Sequence, residues 1–239
     1  MTSTKLIIIP AFNESTNIQH TITEIRNSSN GFDLVVIDDG SIDDTRARAL
    51  AAGVEVISLP FNLGIGGAVQ SGLMYARMRD YDFVIRLDAD GQHAASDLKQ
   101  LLGPLKDDLA DMVIGSRFVG RALEGYTPGR TRRTGILYLS AIIRCLSGQR
   151  ILDVTSGFCG WNRKGINLFA DSYPVDFPEP ESLVLAVRAG LRIMEVPVTM
   201  RQRYSGKSSI SVLISFYYLI KVTFALLLMQ LQRKGRRSL

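Results

Sequence analysis

The chain predicts an α/β fold: a doubly wound, mostly parallel sheet with helices on both faces, followed by a C-terminal amphipathic, membrane-associated helical segment. Three observations predict it. Short apolar runs alternate with helical patterns from residue 4 to 116, polar and glycine-rich clusters follow directly on the ends of those runs, and the basic excess is gathered at one end beside a long apolar stretch. Continuous β-branched runs of a few residues suit strands covered on both faces. Alternating strands and helices with short links imply right-handed crossovers, and such sheets bind ligands beyond the carboxyl ends of their strands.

Taken in order, strands are expected at Lys5–Ile9, Leu34–Ile37, Val54–Leu59, Phe83–Leu87 and Met112–Ile114, with helices over 14–27, 43–52, 66–79 and 96–106. From Val119 to Gly135 the composition turns to Gly, Arg, Thr and Pro, with Arg121, Arg130, Arg132 and Arg133. That stretch reads as a mobile basic loop over a site. A helix over 134–147, a strand at Phe158–Trp161, helices over 163–171 and 179–189 and a strand over 192–198 complete the globular part. No repeat or interdomain linker interrupts it, so the simplest partition is one domain, 1–209, and an appendage, 210–239.

The 239 residues are 46% hydrophobic and 21% charged, which excludes disorder, collagen and disulfide miniproteins. Cys145 and Cys159 are too few for a disulfide framework, so a reducing compartment is expected, with both thiols packed as small apolar groups. The formal charge of +5 is unevenly spread: eight basic and no acidic residues follow Glu195, leaving 20 basic and 23 acidic in residues 1–195. Basic excess confined to one end beside an apolar run points to an anionic membrane surface and away from nucleic acid. The run Ile210–Leu231 is long enough to span a bilayer, but Lys221 near its centre would cost about 2.5 to 3.5 kcal/mol. Ser211, Ser215, Tyr218 and Ala225 lie near one helical face, opposite Leu213, Phe216, Ile220 and Phe224. A membrane-surface helix, a spanning helix, and a core or oligomer contact are the readings open. At the other end, Leu6–Ile9 closed by Pro10 is too short for a signal-peptide core, and no export is expected.

Asp88-Ala89-Asp90-Gly91-Gln92-His93 stands directly after an apolar strand. Carboxylates two residues apart in an extended segment point the same way and can share one divalent ion. Oxygen donors favour Mg²⁺ or Mn²⁺ over zinc, with Gln92 or His93 completing the set; a solvated Asp-Gly turn is the plainer alternative. A second acidic cluster, Asp38-Asp39-Gly40-Ser41 with Asp43 and Asp44, also follows a strand. Ser41 or Asp43 suits a helix cap, while Asp38 and Asp39 suit hydrogen bonds from a base edge or a ribose hydroxyl. Pro10-Ala11-Phe12-Asn13-Glu14 ends the first strand similarly, with Asn13 a cap and Glu14 a base contact. Asn62-Leu63-Gly64-Ile65-Gly66-Gly67-Ala68 fits the dinucleotide-loop pattern poorly, and a tight turn with close helix packing explains its glycines.

Together with Gly115-Ser-Arg-Phe118, Asp153-Val-Thr-Ser-Gly-Phe158 and Arg203-x-x-Gly206-x-Ser208, these motifs resemble, in order, family 2 glycosyltransferases of the dolichyl-phosphate mannose synthase or polyprenyl-phosphate glycosyltransferase type. The resemblance implies a GT-A fold, an inverting reaction and a nucleotide diphosphate sugar donor held by Mg²⁺ or Mn²⁺. Carried over by position, it makes Pro10, Phe12, Glu14, Asp38 and Asp39 base and ribose contacts. It makes Asp88, Ala89, Asp90 and Gln92 the metal and diphosphate site, with Asp88, Asp90 and Gln92 the metal ligands. Arg117 and Arg203 become phosphate-binding forks. This chain has Ser209 where the family often has Lys, and Lys207 is the substitute it offers.

A polyprenyl phosphate arrives ionised and needs no base, whereas a sugar hydroxyl needs one within hydrogen-bond reach. Asp153, Glu179 and Glu181 are the base candidates; for the two glutamates the alternative is charge placed to complement a helix N-terminus. The expected partners are the nucleotide sugar, a lipid-phosphate or lipid-linked glycan acceptor and an anionic membrane surface, with no nucleic acid. A small membrane subunit or a homo-oligomer is left open. The expected place of action is the cytoplasmic face of the cell membrane. Transfer to a hydroxyl of a lipid-linked or cell-surface glycan is the rival activity, and a catalytically silent binding subunit is disfavoured because Asp88, Asp90, Arg117 and Arg203 are all present.

Overall fold

A computed structural model describes residues 3–28, 31–120, 130–201 and 219–228. Among them, in chain order, run β1 (Lys5–Ala11), α1 (Ile18–Ser28), β2 (Asp33–Asp38), α2 (Thr45–Ala51), β3 (Glu55–Ser58), α3 (Gly64–Met78), β4 (Phe83–Arg86), a short 3₁₀ turn (Ala95–Asp97), α4 (Leu98–Lys106), β5 (Met112–Ser116), α5 (Arg130–Ser147), β6 (Cys159–Asn162), α6 (Arg163–Asp171), α7 (Pro178–Arg188) and β7 (Ile193–Pro197). The sheet order is β3-β2-β1-β4-β6-β5-β7. The strand order reverses between β1 and β4, which opens a crevice at their carboxyl ends.

The apolar runs alternate between the two sides of the sheet. Leu6 and Ile8 of β1 belong to one core cluster with buried residues of α3, α5, α6 and α7, while Ile7 and Ile9 belong to the other, with buried residues of α1, α2 and α4. Each fully buried Ile or Leu contributes about 1.5 to 3 kcal/mol. This two-sided burial is why the strands read as unbroken apolar runs rather than alternating ones.

Three features differ from expectation, and within a sheet that is mostly parallel as expected, β6 alone of the described strands runs antiparallel, to both β4 and β5. Its leading end therefore lies at the carboxyl end of β4, with Cys159 opposite Arg86, and carries residues 153–158 toward the crevice. Helix α1 starts at Ile18 instead of 14, because Asn13 turns the chain at φ 54° before it. Helix α5 starts at Arg130, inside the stretch read as a loop; residues 121–129 lie outside those described. Finally, Cys145 is exposed on the outer side of α5, whereas Cys159 is buried as expected.

Residues 219–228 are helical. Val222 and Leu226 are fully buried in the same core cluster as Ile136 and Leu139, and Tyr138 and Thr223 hydroxyls are 3.3 Å apart. On the other side, Ile220, Phe224, Leu227 and Leu228 are exposed. No described helix is long and apolar enough to cross a membrane.

Candidate active site

The loop after β1 and the loop after β2 are zipped together by side chains that accept backbone hydrogen bonds. Asn13 N–H donates to Ser41 Oγ (3.0 Å), Ile42 N–H to Asn13 Oδ1 (3.0 Å) and Glu14 N–H to Thr45 Oγ1 (2.8 Å). Asn13 thus holds the neighbouring loop rather than capping α1. Asp43 accepts from the N–H of both Thr45 (2.9 Å) and Ser15 (3.2 Å). Its partial burial alone would raise its pKa; the hydrogen bonds from Thr45 and Ser15 outweigh that and bring it down to about 2.

Asp38 and Asp39 are both buried at this edge. Asp38 Oδ1 accepts from Ser41 N–H at 3.2 Å, and Asp39 Oδ1 from Leu63 N–H at 2.7 Å. Burial raises the Asp39 pKa, Leu63 and Gly64 N–H groups oppose it, and Asp38 adds to the rise. Gly40 makes the turn possible: its φ is +72°, and a Cβ there would lie 2.8 Å from the Phe61 carbonyl carbon. Pro10 is buried, Phe12 is half exposed, and Glu14 accepts from Asn17 Nδ2 at 2.7 Å. The glycines after β3 serve a turn and packing, as read from sequence: Gly64 has a φ of +81°, and Gly66 is pressed so close to residues 174–175 that a Cβ would meet the Pro174 carbonyl oxygen at 2.3 Å.

Across the crevice, Asp88-Ala89-Asp90 continues from β4. Asp90 is buried and its Oδ1 accepts from Gln92 N–H at 3.0 Å across the turn at Gly91. Thr21 of α1 donates to the Ala89 carbonyl at 3.0 Å, fixing the loop from below. His93 does not extend the set of oxygen donors. Its ring is buried, stacked on Phe158 at 4.7 Å, and its Nδ1 accepts from Asp88 N–H at 3.3 Å. Burial lowers its pKa against the pull of Asp88 and Asp90, so the imidazole serves as neutral scaffold. Gln92 Nε2 donates to the Arg201 carbonyl (3.4 Å) and Arg201 N–H to the Gln92 carbonyl (2.9 Å), so the amide nitrogen is engaged and the amide oxygen is the side-chain atom that remains for a cation. Two carboxylates and one amide fit a hard cation that completes its shell with water and substrate phosphates. No group of three or more His, Cys, Asp or Glu arranged to hold a metal ion occurs among the described residues, so a dedicated all-protein cage is not built from them.

Arg117 and Asp153 come together, but on each other. Arg117 Nε and Nη2 hold Asp153 at 2.7 and 2.6 Å, Arg117 N–H adds a third bond at 3.0 Å, and Nη2 also reaches Thr155 Oγ1 at 2.9 Å. The side chains are 4% and 0% exposed, which decides Asp153's place: it anchors Arg117 and does not face the crevice as a proton acceptor. The remaining fork nitrogen, Nη1, is 3.6 Å from the sulfur of Met200. Glu195 accepts from the N–H groups of Leu152 and Asp153, locking this segment to β7.

The two glutamates of α7 part company. Glu179 accepts from Arg86 Nη1 at 3.0 Å. Glu181 is partly buried, and its pKa is raised to about 7 by that burial and then by Asp176. Helix-dipole stabilisation would lower it, so at Glu181 burial wins. Arg203 and Lys207 lie outside the described residues.

Sequence reasoning missed Arg86, buried at the end of β4 and holding both Asp88 (Nε, 2.9 Å) and Glu179. Its signal was an arginine inside the apolar run Phe-Val-Ile-Arg-Leu. The clamp on residues 199–201 was also missed: Thr199 N–H to Asp97 (2.7 Å) and Arg201 to Glu24 (2.8 Å).

A family model matches the stretch that carries this crevice: residues 6–169 fit glycosyl transferase family 2. The chain belongs to glycosyl transferase family 2. This glycosyltransferase is similar along most of its length to an undecaprenyl-phosphate mannosyltransferase of Micrococcus luteus, 33% identical over 86% of this chain and 87% of that one. A polyprenol monophosphomannose synthase of Mycolicibacterium smegmatis is 32% identical over 88% and 82%. Its fold matches glucosyl-3-phosphoglycerate synthase of Mycobacterium tuberculosis, solved with Mn²⁺, UDP-glucose and phosphoglyceric acid, at a TM-score of 0.72 over 95% of this chain and 79% of that one. At 22% identity that likeness establishes the GT-A-like fold alone.

Proposed function

We propose that this glycosyltransferase moves a sugar, with inversion, from a nucleotide diphosphate sugar to a polyprenyl phosphate at the cytoplasmic face of the cell membrane. Asp88, Asp90 and Gln92 hold Mg²⁺ or Mn²⁺ in this reading. The observation that carries it is the placement of the Asp88 and Asp90 carboxylates at the carboxyl end of β4, beside the strand-order reversal. The names of the relatives, which act on undecaprenyl and polyprenol phosphates, supply the acceptor class.

Pro10, Phe12, Glu14, Asp38 and Asp39 receive base and ribose at the β1 and β2 ends. The bound cation supplies positive charge against the negative charge that grows on the leaving diphosphate. Arg117, aimed by Asp153, presents Nη1 toward the segment leading to Arg203, and Arg203 and Lys207 add cationic donors for the phosphates. A phosphate acceptor arrives ionised, so no residue has to remove a proton from it.

Residues 1–209 form the catalytic domain and 210–239 the membrane-facing appendage in this reading. Exposed Ile220, Phe224, Leu227 and Leu228 give the appendage an apolar face, and the basic tail meets anionic lipid. One observation favours the rival acceptor: Glu181, with a pKa near 7, suits a general base for a sugar hydroxyl. Mass spectrometry of the lipid product, with undecaprenyl or dolichyl phosphate and a panel of nucleotide sugars, tests the proposal. A mass gain of one sugar on the polyprenyl phosphate supports it; extension of a lipid-linked glycan alone overturns it.

A further inference from the structure

Behind the acidic loop lies a buried, ion-paired arginine that the reaction as described does not use. Arg86 has a side chain 3% exposed and bridges Asp88 (Nε to Oδ1, 2.9 Å) and Glu179 (Nη1 to Oε1, 3.0 Å), 93 residues apart in sequence. Room for the bridge exists only because residue 157 is glycine: a Cβ there would lie 2.7 Å from Arg86 Nη2 and 2.8 Å from Asp88 Oδ2.

A permanently charged guanidinium touching one carboxylate of a cation site should weaken that site, since it competes for the same oxygens. Glu179 removes the conflict. Three carboxylates, Asp88, Asp90 and Glu179, against one guanidinium leave two net negative charges, which one divalent cation matches. Without Glu179 the group retains a single net negative charge.

We propose that Glu179 is a positioning residue for the cation site: it neutralises Arg86 from behind, so that Arg86 orients Asp88 without spending its charge. The inference rests on the reading of Asp88 and Asp90 as the cation site. It removes Glu179 from the base candidates and ties the first turn of α7 to the donor site through one buried side chain.

The test is Mn²⁺ binding to the full chain, read by the loss of the free-ion electron paramagnetic resonance signal, with UDP in one arm and GDP in another. Thermal melting accompanies every variant. Glu179→Gln keeps the shape and an acceptor oxygen for Arg86 but removes the charge, and should weaken Mn²⁺ binding about tenfold. Arg86→Gln combined with Glu179→Gln restores two net negative charges and should return Mn²⁺ affinity to within about threefold of wild type. Turnover lost in Glu179→Gln should recover as Mn²⁺ is raised, which neither a lost base nor a packing defect would show. The inference is overturned if Glu179→Gln binds Mn²⁺ like wild type, or if the double variant binds as weakly as the single. Should Glu179→Gln not fold, the double variant decides alone, by the same threefold limit. Loss of binding in Asp90→Asn, with Glu179→Gln unaffected, sinks this inference and leaves the cation site standing. A wild type that binds no Mn²⁺ with either nucleotide overturns both.

Discussion

Replacing Asp153 by Asn removes the counter-charge of a guanidinium that is almost wholly buried. Arg117 would keep Thr155 at 2.9 Å, but two side-chain bonds of 2.7 and 2.6 Å would face an amide that carries no charge. Breaking a buried pair by removing one partner costs about 3 to 5 kcal/mol. Against a total of about 5 to 15 kcal/mol for a domain, that brings the chain close to unfolding. Urea titration followed by circular dichroism should show the midpoint falling by about 1 M or more, given typical urea slopes. Arg117→Met with Asp153→Leu removes both charges and should be more stable than Asp153→Asn alone. The reasoning fails if Asp153→Asn melts like wild type while turnover collapses, because the carboxylate would then be acting on substrate and not on Arg117.

Three further outcomes are expected. Asp90→Asn and chelation of the wild type should each abolish turnover with little change in melting temperature; full activity in excess EDTA with no divalent ion retained would falsify the metal assignment. Glu181 has a folded pKa raised from 4.5 to about 7, so its stabilising contribution is complete below pH 4.5 and is lost as pH rises through 7. Glu181→Gln should therefore gain about 1 to 2 kcal/mol over wild type at pH 8 and nothing at pH 4, a figure discounted for partial exposure; equal pH profiles of denaturant stability would contradict this. At the C-terminal helix, Leu226→Ala should cost about 2 to 5 kcal/mol, whereas Ile220→Ser with Phe224→Ser should leave stability within about 1 kcal/mol and reduce sedimentation with anionic vesicles. Unchanged sedimentation of the double serine variant would show that this face does not meet lipid.

The strands were legible because burial on both faces writes itself as unbroken apolar sequence. The direction of β6 was not, since Cys-Gly-Trp-Asn carries no sign of which way it runs; its place between β4 and β5 is set by partners 45 to 49 and 73 to 79 residues away. The late start of α1 reflects tertiary hydrogen bonds from the Asn13 loop to Ser41 and Thr45, which outcompete a local helical turn. At the site, the Asp-x-Asp pair could be read because its two carboxylates are adjacent in a strand-end segment. Arg117 with Asp153, and Arg86 with Glu179, meet across 36 and 93 residues, and no local period encodes such pairs. The C-terminal helix mixes two environments on one short element. Val222 and Leu226 enter the core while Phe224 between them stays exposed, so hydropathy alone could not separate the exposed face from the core face.

The central claim, that a polyprenyl phosphate oxygen takes the sugar, is tested most directly by ³¹P nuclear magnetic resonance of the reaction in progress. With Mn²⁺ replaced by diamagnetic Mg²⁺, the polyprenyl phosphate monoester resonance should convert to that of a phosphodiester in step with release of nucleoside diphosphate, and should not change for Asp90→Asn. A monoester resonance that persists while nucleoside diphosphate accumulates and the sugar appears on a hydroxyl would contradict the account.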